Sequence, residues 1–242
     1  MITKRNLITG LFISSMFLIL SCDDLFDERI EGNNVVVTKI RSVTSFDEIV
    51  STGNFDVYFT VADSTSLIIE AEENLFPFIT TRVGGERIYI ETKDNYRLDN
   101  NEPIKIRLTS PNIEGVVLTG SGFIVCDSLS ADYFSAELTG SGKIEFLNID
   151  VTEADSEISG SGDITLSGSV NSSDLLITGS GNIKTLDLYQ KYCEATITGS
   201  GNIYTNVEDH LKAVITGSGN IYYTGNPIID KTITGTGSVK RY

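Results

Sequence analysis

Ile197-Thr198-Gly199-Ser200-Gly201-Asn202-Ile203 is a phrase that this chain repeats. Its core returns at Gly120-Ser121-Gly122, Gly140-Ser141-Gly142, Gly160-Ser161-Gly162, Gly179-Ser180-Gly181 and Gly217-Ser218-Gly219, with a Gly235-Thr236-Gly237 variant at the end. The first glycines are 20, 20, 19, 20, 18 and 18 residues apart. A period that regular means one structural unit stacked on itself, because such a unit buries its apolar face only against its neighbours. Two residues before each first glycine stand Leu118, Leu138, Ile158, Ile177, Ile197, Ile215 and Ile233. Four after it stand Ile124, Ile144, Ile164, Ile183, Ile203, Ile221 and Val239. These are stacked aliphatic columns of the kind a solenoid interior requires, each side chain contributing about 1.5–3 kcal/mol on burial. Leu129, Ile149, Val170, Leu188 and Val207 suggest a third column on another wall.

Between the two main columns the chain must turn without a bulky side chain. Glycine supplies the positive φ such a corner needs, so alanine at either glycine should destabilise. Asn182, Asn202 and Asn220 share one position in three successive coils and predict an amide ladder. The Gly-Ser-Gly-Asn phrase thus reads as a corner that stacks well. It does not read as a calcium site, since calcium-binding solenoids repeat every nine residues with an aspartate in each copy, and only Asp163 fills that column here. Nor does it read as a dinucleotide loop, because the glycines lead into strand-like sequence with no helix to meet a phosphate.

Upstream, Val35-Val36-Val37, Phe55-Asp56-Val57-Tyr58-Phe59, Ser66-Leu67-Ile68-Ile69, Arg87-Ile88-Tyr89-Ile90 and Ile104-Lys105-Ile106-Arg107-Leu108 read as strands. Gly53-Asn54, Gly84-Gly85 and Asp99-Asn100-Asn101 read as turns between them, and Glu72–Phe76 as one helical turn before Pro77. Phe46, Ile49, Gly53, Phe55-Asp56-Val57, Asn74-Leu75, Pro103-Ile104-Lys105-Ile106, Pro111 and then the glycine series resemble the GIN-type head domain of autotransporter adhesins, common in envelope lipoproteins of Bacteroidetes. The resemblance covers about residues 40–242. It implies a right-handed parallel β-solenoid on a secreted or lipid-anchored protein, and brings no catalytic residues with it.

At the N-terminus Lys4 and Arg5 precede an apolar run, Leu7 to Leu20, that is short for a membrane span and reads as a signal peptide. Ile19-Leu20-Ser21-Cys22 resembles a lipobox, which makes Cys22 the lipid-bearing first residue of the mature chain and a lipid anchor its membrane partner. The acids that follow at once, Asp23, Asp24, Asp27 and Glu28, resemble a surface-export signal of Bacteroidetes-type lipoproteins. The expected organisation is a signal peptide over 1–21, an acidic flexible tether over 22–34, an N-terminal β section over 35–115 and the repeat solenoid over 116–242, with 35–242 as one domain. A formal charge of -15 argues against nucleic acid and against electrostatic docking on anionic lipid. Cys126 and Cys193 fall about three coils apart, roughly 14 Å at strand spacing, too far for a disulfide.

Candidate chemistry is sparse. His210, in Glu208-Asp209-His210-Leu211, reads as a solvated loop histidine with no nucleophile beside it. Glu137 and Glu157 share a column one coil apart and read as outward-facing, so no metal and no cofactor is expected. Tyr204, Tyr222 and Tyr223, with Tyr189 and Tyr192, suggest an aromatic strip on one wall. Flat rings beside hydroxyls and amides suit sugars or a protein surface, and rows repeating at strand spacing suit an extended ligand. The expected function is a non-enzymatic, lipid-anchored outer-membrane protein that binds an extended glycan or a protein. The alternatives are a carbohydrate lyase or hydrolase on the same scaffold, to be recognised by a groove of convergent acids or a Lys/Arg base, and a structural or accessory envelope protein. The chain stops directly after its seventh corner at Val239-Lys240-Arg241-Tyr242, an open edge that invites self-association unless Lys240 and Arg241 guard it.

Overall fold

Apolar and β-branched residues at every second position make strands almost wherever they occur in this chain. In the computed structural model, which describes residues 27–242, the N-terminal part runs through β1 (Glu28–Glu31), β2 (Val36–Arg41), β3 (Glu48–Gly53), β4 (Asp56–Val61) and β5 (Ser66–Glu72). A 3-10 segment, Glu73–Phe78, follows where the helical turn is expected, with Pro77 inside it. The chain then forms β6 (Ile79–Gly84), β7 (Arg87–Thr92), β8 (Tyr96–Asp99) and β9 (Lys105–Ser110). The repeats supply β10 (Gly115–Gly120), β11 (Phe123–Cys126), β12 (Leu129–Gly140), β13 (Lys143–Gly160), β14 (Asp163–Gly179) and β15 (Asn182–Gly199). They end with β16 (Asn202–Gly217), β17 (Asn220–Gly225), β18 (Ile228–Gly235) and β19 (Ser238–Arg241). Together they form a β-solenoid of about six turns.

From β10 onward the pairing is parallel, and it is in register on both sides of every glycine corner. Gly120, Gly140, Gly160, Gly179, Gly199, Gly217 and Gly235 lie over one another, and so do the two aliphatic columns beside them. Ile183, Ile203 and Ile221 are paired in sequence and have no exposed surface. One dry interior therefore runs the length of the stack.

The two glycines of each corner are required for different reasons. Gly199 sits at φ +134°, and a Cβ there would also lie 2.3 Å from the carbonyl oxygen of Gly179. Gly201 is not in the left-handed region, so the conformational argument applies only to the first glycine of the pair. A Cβ on Gly201 would instead meet Gly181 O at 2.4 Å and Ile177 Cγ2 at 2.8 Å. The close approach is a bonding arrangement, since Gly179 O accepts from Ser200 N at 2.8 Å and Gly201 N at 3.1 Å. Each corner thus satisfies its backbone against the corner below, as a buried turn must.

The repeat also begins earlier than its motif shows. Gly53 pairs with Gly120 and has φ +129°, so Thr52-Gly53-Asn54-Phe55 is a corner of the same stack. Phe55 takes the place of the second glycine. It can do so because β3 and β4 rest on β7 and β9, whose connection, residues 93–104, is a long excursion instead of a tight corner, and the ring fills the space beneath. The end is then closed by antiparallel strands, β2 on β5, β5 on β9 and β6 on β7.

Part of the expected tether is folded. β1 pairs with β8, and the segment after it is held by Glu72, which accepts hydrogen bonds from Asn34 N at 2.6 Å and Asn101 N at 2.8 Å. Sequence alone gives no hint of this because the partners lie 29 to 38 residues away. Cys22 and the signal peptide lie outside the described residues.

The expected third apolar column is in fact two. Leu129, Ile149, Gly168 and Leu188 form one, and Val151, Val170, Gln190 and Val207 form the other. Coils of unequal length shift register past the second wall, so counting from the glycine fails beyond that point. Gln190 is buried in the second column among Ser173, Thr205 and Cys193. Its amide accepts from the Ser173 hydroxyl and donates to the Thr205 hydroxyl, which is how a polar side chain is accommodated in this interior.

Candidate functional site

The column Thr165, Lys184, Tyr204 and Tyr222 faces outward on the wall after the glycine corner. Tyr204 and Tyr222, one coil apart, stack with ring centroids 5.0 Å apart and planes 14° from parallel. Tyr242 stands edge-on to both, at 6.0 and 6.3 Å, anchored by its backbone N–H on Tyr223 O. Beside the stack lies a groove of about 460 Å³ bounded by Tyr204, Tyr242, Lys184, Asn182 and Asp187. Its lip is made by a length mismatch. Leu186, Asp187 and Leu188 have no partner in β16, and the first two of them line the groove.

The strip of five tyrosines expected on one wall is divided. Tyr223 pairs with buried Thr205 and packs against the core, so it belongs to the interior of the last coils. Tyr189 is 72 % exposed but pairs with Asn206 beyond the register shift, on a different wall. Tyr192 lies past a second register shift, paired with His210 on the wall that leads into the next corner. Tyr242 is the ring that sequence reasoning missed, because counting from the last glycine puts it level with Asn206 and Thr224 and not beside Tyr204.

Next to the groove the asparagine ladder is present. Asn220 Nδ2 donates to Asn202 Oδ1 at 3.2 Å, Asn202 to Asn182 at 3.1 Å, and Asn182 to Asp163 Oδ1 at 2.9 Å. Ser238 Oγ closes the other end by donating to Asn220 Oδ1 at 2.6 Å. Asp163 also holds Lys184 Nζ at 2.7 Å. Burial pushes the Asp163 carboxyl up, but the bonds from Lys184 and Asn182 outweigh it and hold it below its ordinary value. This aspartate is thus an acceptor committed to the ladder.

A second groove, about 410 Å³, lies on the wall before the corner. Asp155, Asp174, Glu194, Lys212 and Asp230 form one column there, flanked by Tyr192 and His210. The signal was in the sequence, since each stands five residues before its glycine, but the acids weighed there were Glu137 and Glu157, which are exposed as expected. Burial first, then Glu194 and Asp155, raise the Asp174 carboxyl. Lys212 Nζ donates to Glu194 at 2.6 Å, and that bond raises its pKa, so it stands as an ammonium instead of a base. His210 lies within β16, not in a loop, and its Nε2 is 3.0 Å from Asp230 Oδ2. Among the described residues no group of three or more His, Cys, Asp or Glu side chains is arranged to hold a metal. Cys126 and Cys193 are free and buried, and burial pushes each thiol up to about 11, which leaves both unreactive at neutral pH.

The family model described as "putative auto-transporter adhesin, head GIN domain" matches residues 45–227. A crystal structure of a putative adhesin from Bacteroides fragilis is similar at 25% identity and TM-score 0.84, covering 88% of this chain and 100% of its own. One of a putative lipid binding protein from Parabacteroides distasonis is similar at 27% identity and TM-score 0.76, covering 89% and 100%. A putative adhesin from Parabacteroides merdae, at 24% identity and TM-score 0.68, covers 88% and 99% and shares the fold. No functionally curated protein matches the chain.

Proposed function

We propose, from the premise that this chain belongs to the head GIN domain family of auto-transporter adhesins, that it is a non-enzymatic binding module displayed at the bacterial surface. Cys22 carries the lipid that anchors it in the outer membrane, and the solenoid presents its walls to an extended glycan or protein ligand. The observation that carries this reading is the Tyr204–Tyr222 stack, joined by Tyr242, on an outward wall beside a groove. Aromatic faces with hydroxyl and amide neighbours are the usual means of holding a sugar ring or a flat protein patch. The enzyme reading draws on the acidic groove, but its lysine is ion-paired with Glu194, which removes the base a lyase would use.

The test is binding of the full chain to a glycan and matrix-protein array, compared with a Tyr204→Ala/Tyr222→Ala variant. The variant is expected to lose its hits by about tenfold or more, at about 0.5–1.5 kcal/mol for each aromatic contact removed. Unchanged hits would overturn the assignment of the ligand to this wall.

A further inference from the structure

The groove beside the tyrosine stack has a chemistry narrower than "glycan or protein". Tyr222 covers one face of Tyr204, so the surface Tyr204 turns toward the groove is the free platform there. Around it the charges are already disposed. Among the described residues Lys184 is the one cation lining the groove, and its ammonium is taken by Asp163. Asp187 adds an exposed carboxylate on the lip. The local balance is therefore negative, on a chain whose formal charge is -15. A ligand carboxylate or sulfate entering here meets repulsion and no unpaired cation. Ligand hydroxyls meet an acceptor in the carboxylate of Asp187, which binds O–H donors more strongly than a neutral acceptor does. Asn182 spends one amide N–H on Asp163 and has a second to offer. Its aliphatic lining is Leu186 and Leu166, the latter almost wholly buried, too little open surface for an acyl chain. The volume, about 460 Å³, lies within the range of small-ligand pockets.

We propose that this groove takes a neutral, hydroxyl-rich pyranose, stacked on Tyr204 and hydrogen-bonded to Asp187 and Asn182, and that it discriminates against acidic sugars. The inference rests on the reading of the tyrosine wall as the binding face, and narrows its ligand to one class. Length mismatch between coils is what makes it possible, since a coil matched residue for residue to β16 would leave a flat wall with no lip.

Calorimetric titration of the full chain in detergent micelles tests it, with hexasaccharides of glucose or mannose as neutral probes and oligogalacturonate as the acidic one. Neutral probes are expected to bind at least about tenfold more tightly than oligogalacturonate. Tyr204→Ala should weaken them about tenfold, and Tyr204→Phe should leave them within about threefold. Asp187→Lys, on an exposed lip where folding is not at stake, should weaken the neutral probes and raise affinity for oligogalacturonate. Preference for oligogalacturonate, or binding of neutral sugars indifferent to both Tyr204→Ala and Asp187→Lys, would overturn the proposal. If sugars fail but a protein hit on the array depends on Tyr204 and Tyr222, the ligand class is wrong and the binding face stands. If no ligand on the array depends on those two tyrosines, both readings fall.

Discussion

The two ends of the solenoid are finished differently. At the N-terminal end the chain leaves its repeat, turns antiparallel and lays β2, β5 and β6 across the stack. Arg41, on edge strand β2, donates to Ile79 O at 2.8 Å, Thr81 Oγ1 at 2.9 Å and Phe76 O at 3.2 Å, while Lys39 lies 4.3 Å from the centre of the Phe76 ring. Burial among these carbonyls lowers the Arg41 pKa. At the C-terminal end nothing of the kind occurs among the described residues. β18 and β19 continue the pattern of the coil below, and Ile233 is 38 % exposed in a column whose members from Leu118 to Ile215 are at most 1 % exposed. A repeated coil can cover only the neighbour beneath it, so each end of a stack needs a device that the repeat itself does not encode. Among the described residues the first coils carry such a device and the last ones do not.

The contrast gives its largest effects at the corners. Gly199→Ala sets a Cβ against the Gly179 carbonyl with coils above and below unable to yield, and should cost about 3 kcal/mol from overpacking plus an unfavourable φ. At Gly235 the same contact, 2.2 Å from Gly217 O, lies under an open end that can lift away, and the cost should be about half. Urea midpoints of the two variants measure the difference, and equal losses would mean the last coil is as constrained as the middle ones. The interior column should grade likewise, with Ile203→Ala expected to cost about 3 kcal/mol and Ile233→Ala below about 1 kcal/mol.

The most local effect is expected at the N-terminal clasp. Burial pushes the Glu72 carboxyl up, yet the backbone N–H donors of Asn34, Asn101 and Glu102 and the Asn101 amide win and hold it below its ordinary value. A carboxylate with a lowered folded pKa contributes stability that is present above its unfolded pKa and lost as pH falls through the folded one. The protection factor of the Asn34 amide, its exchange rate corrected for the intrinsic effect of pH, should therefore fall in acid, below the usual carboxylate range, while that of Ile203 does not. Glu72→Gln should show the faster Asn34 exchange already at pH 7, at a cost of about 1–2 kcal/mol from imperfectly replaced charge-assisted bonds. An Asn34 protection factor independent of pH in the native chain would show that the clasp does not depend on the carboxylate.

Legibility followed the repeat. Where coils match residue for residue, as along the walls either side of the glycine corners, counting from the glycine found the interior, the asparagine ladder and the outward direction of Glu137 and Glu157. Counting stopped working where coils differ in length, and Val207, Tyr189 and Tyr223 went to the wrong columns or the wrong wall. Gly53 was visible as a turn but not as a corner of the stack, because Phe55 stands where the motif has glycine. The candidate site suffered most, since the lip of Leu186 and Asp187 is created by residues that have no place in the period.

The sequence by itself determined the coil, its glycine corners and its aliphatic interior, because those rest on local spacing and on a pattern repeated at nearly constant intervals. Only the tertiary structure decided which rings meet, how Glu72 fastens the start of the chain, and where Tyr242 closes a groove. Those depend on contacts between residues dozens of positions apart, and on small differences in coil length whose consequences appear only when one coil is laid on the next.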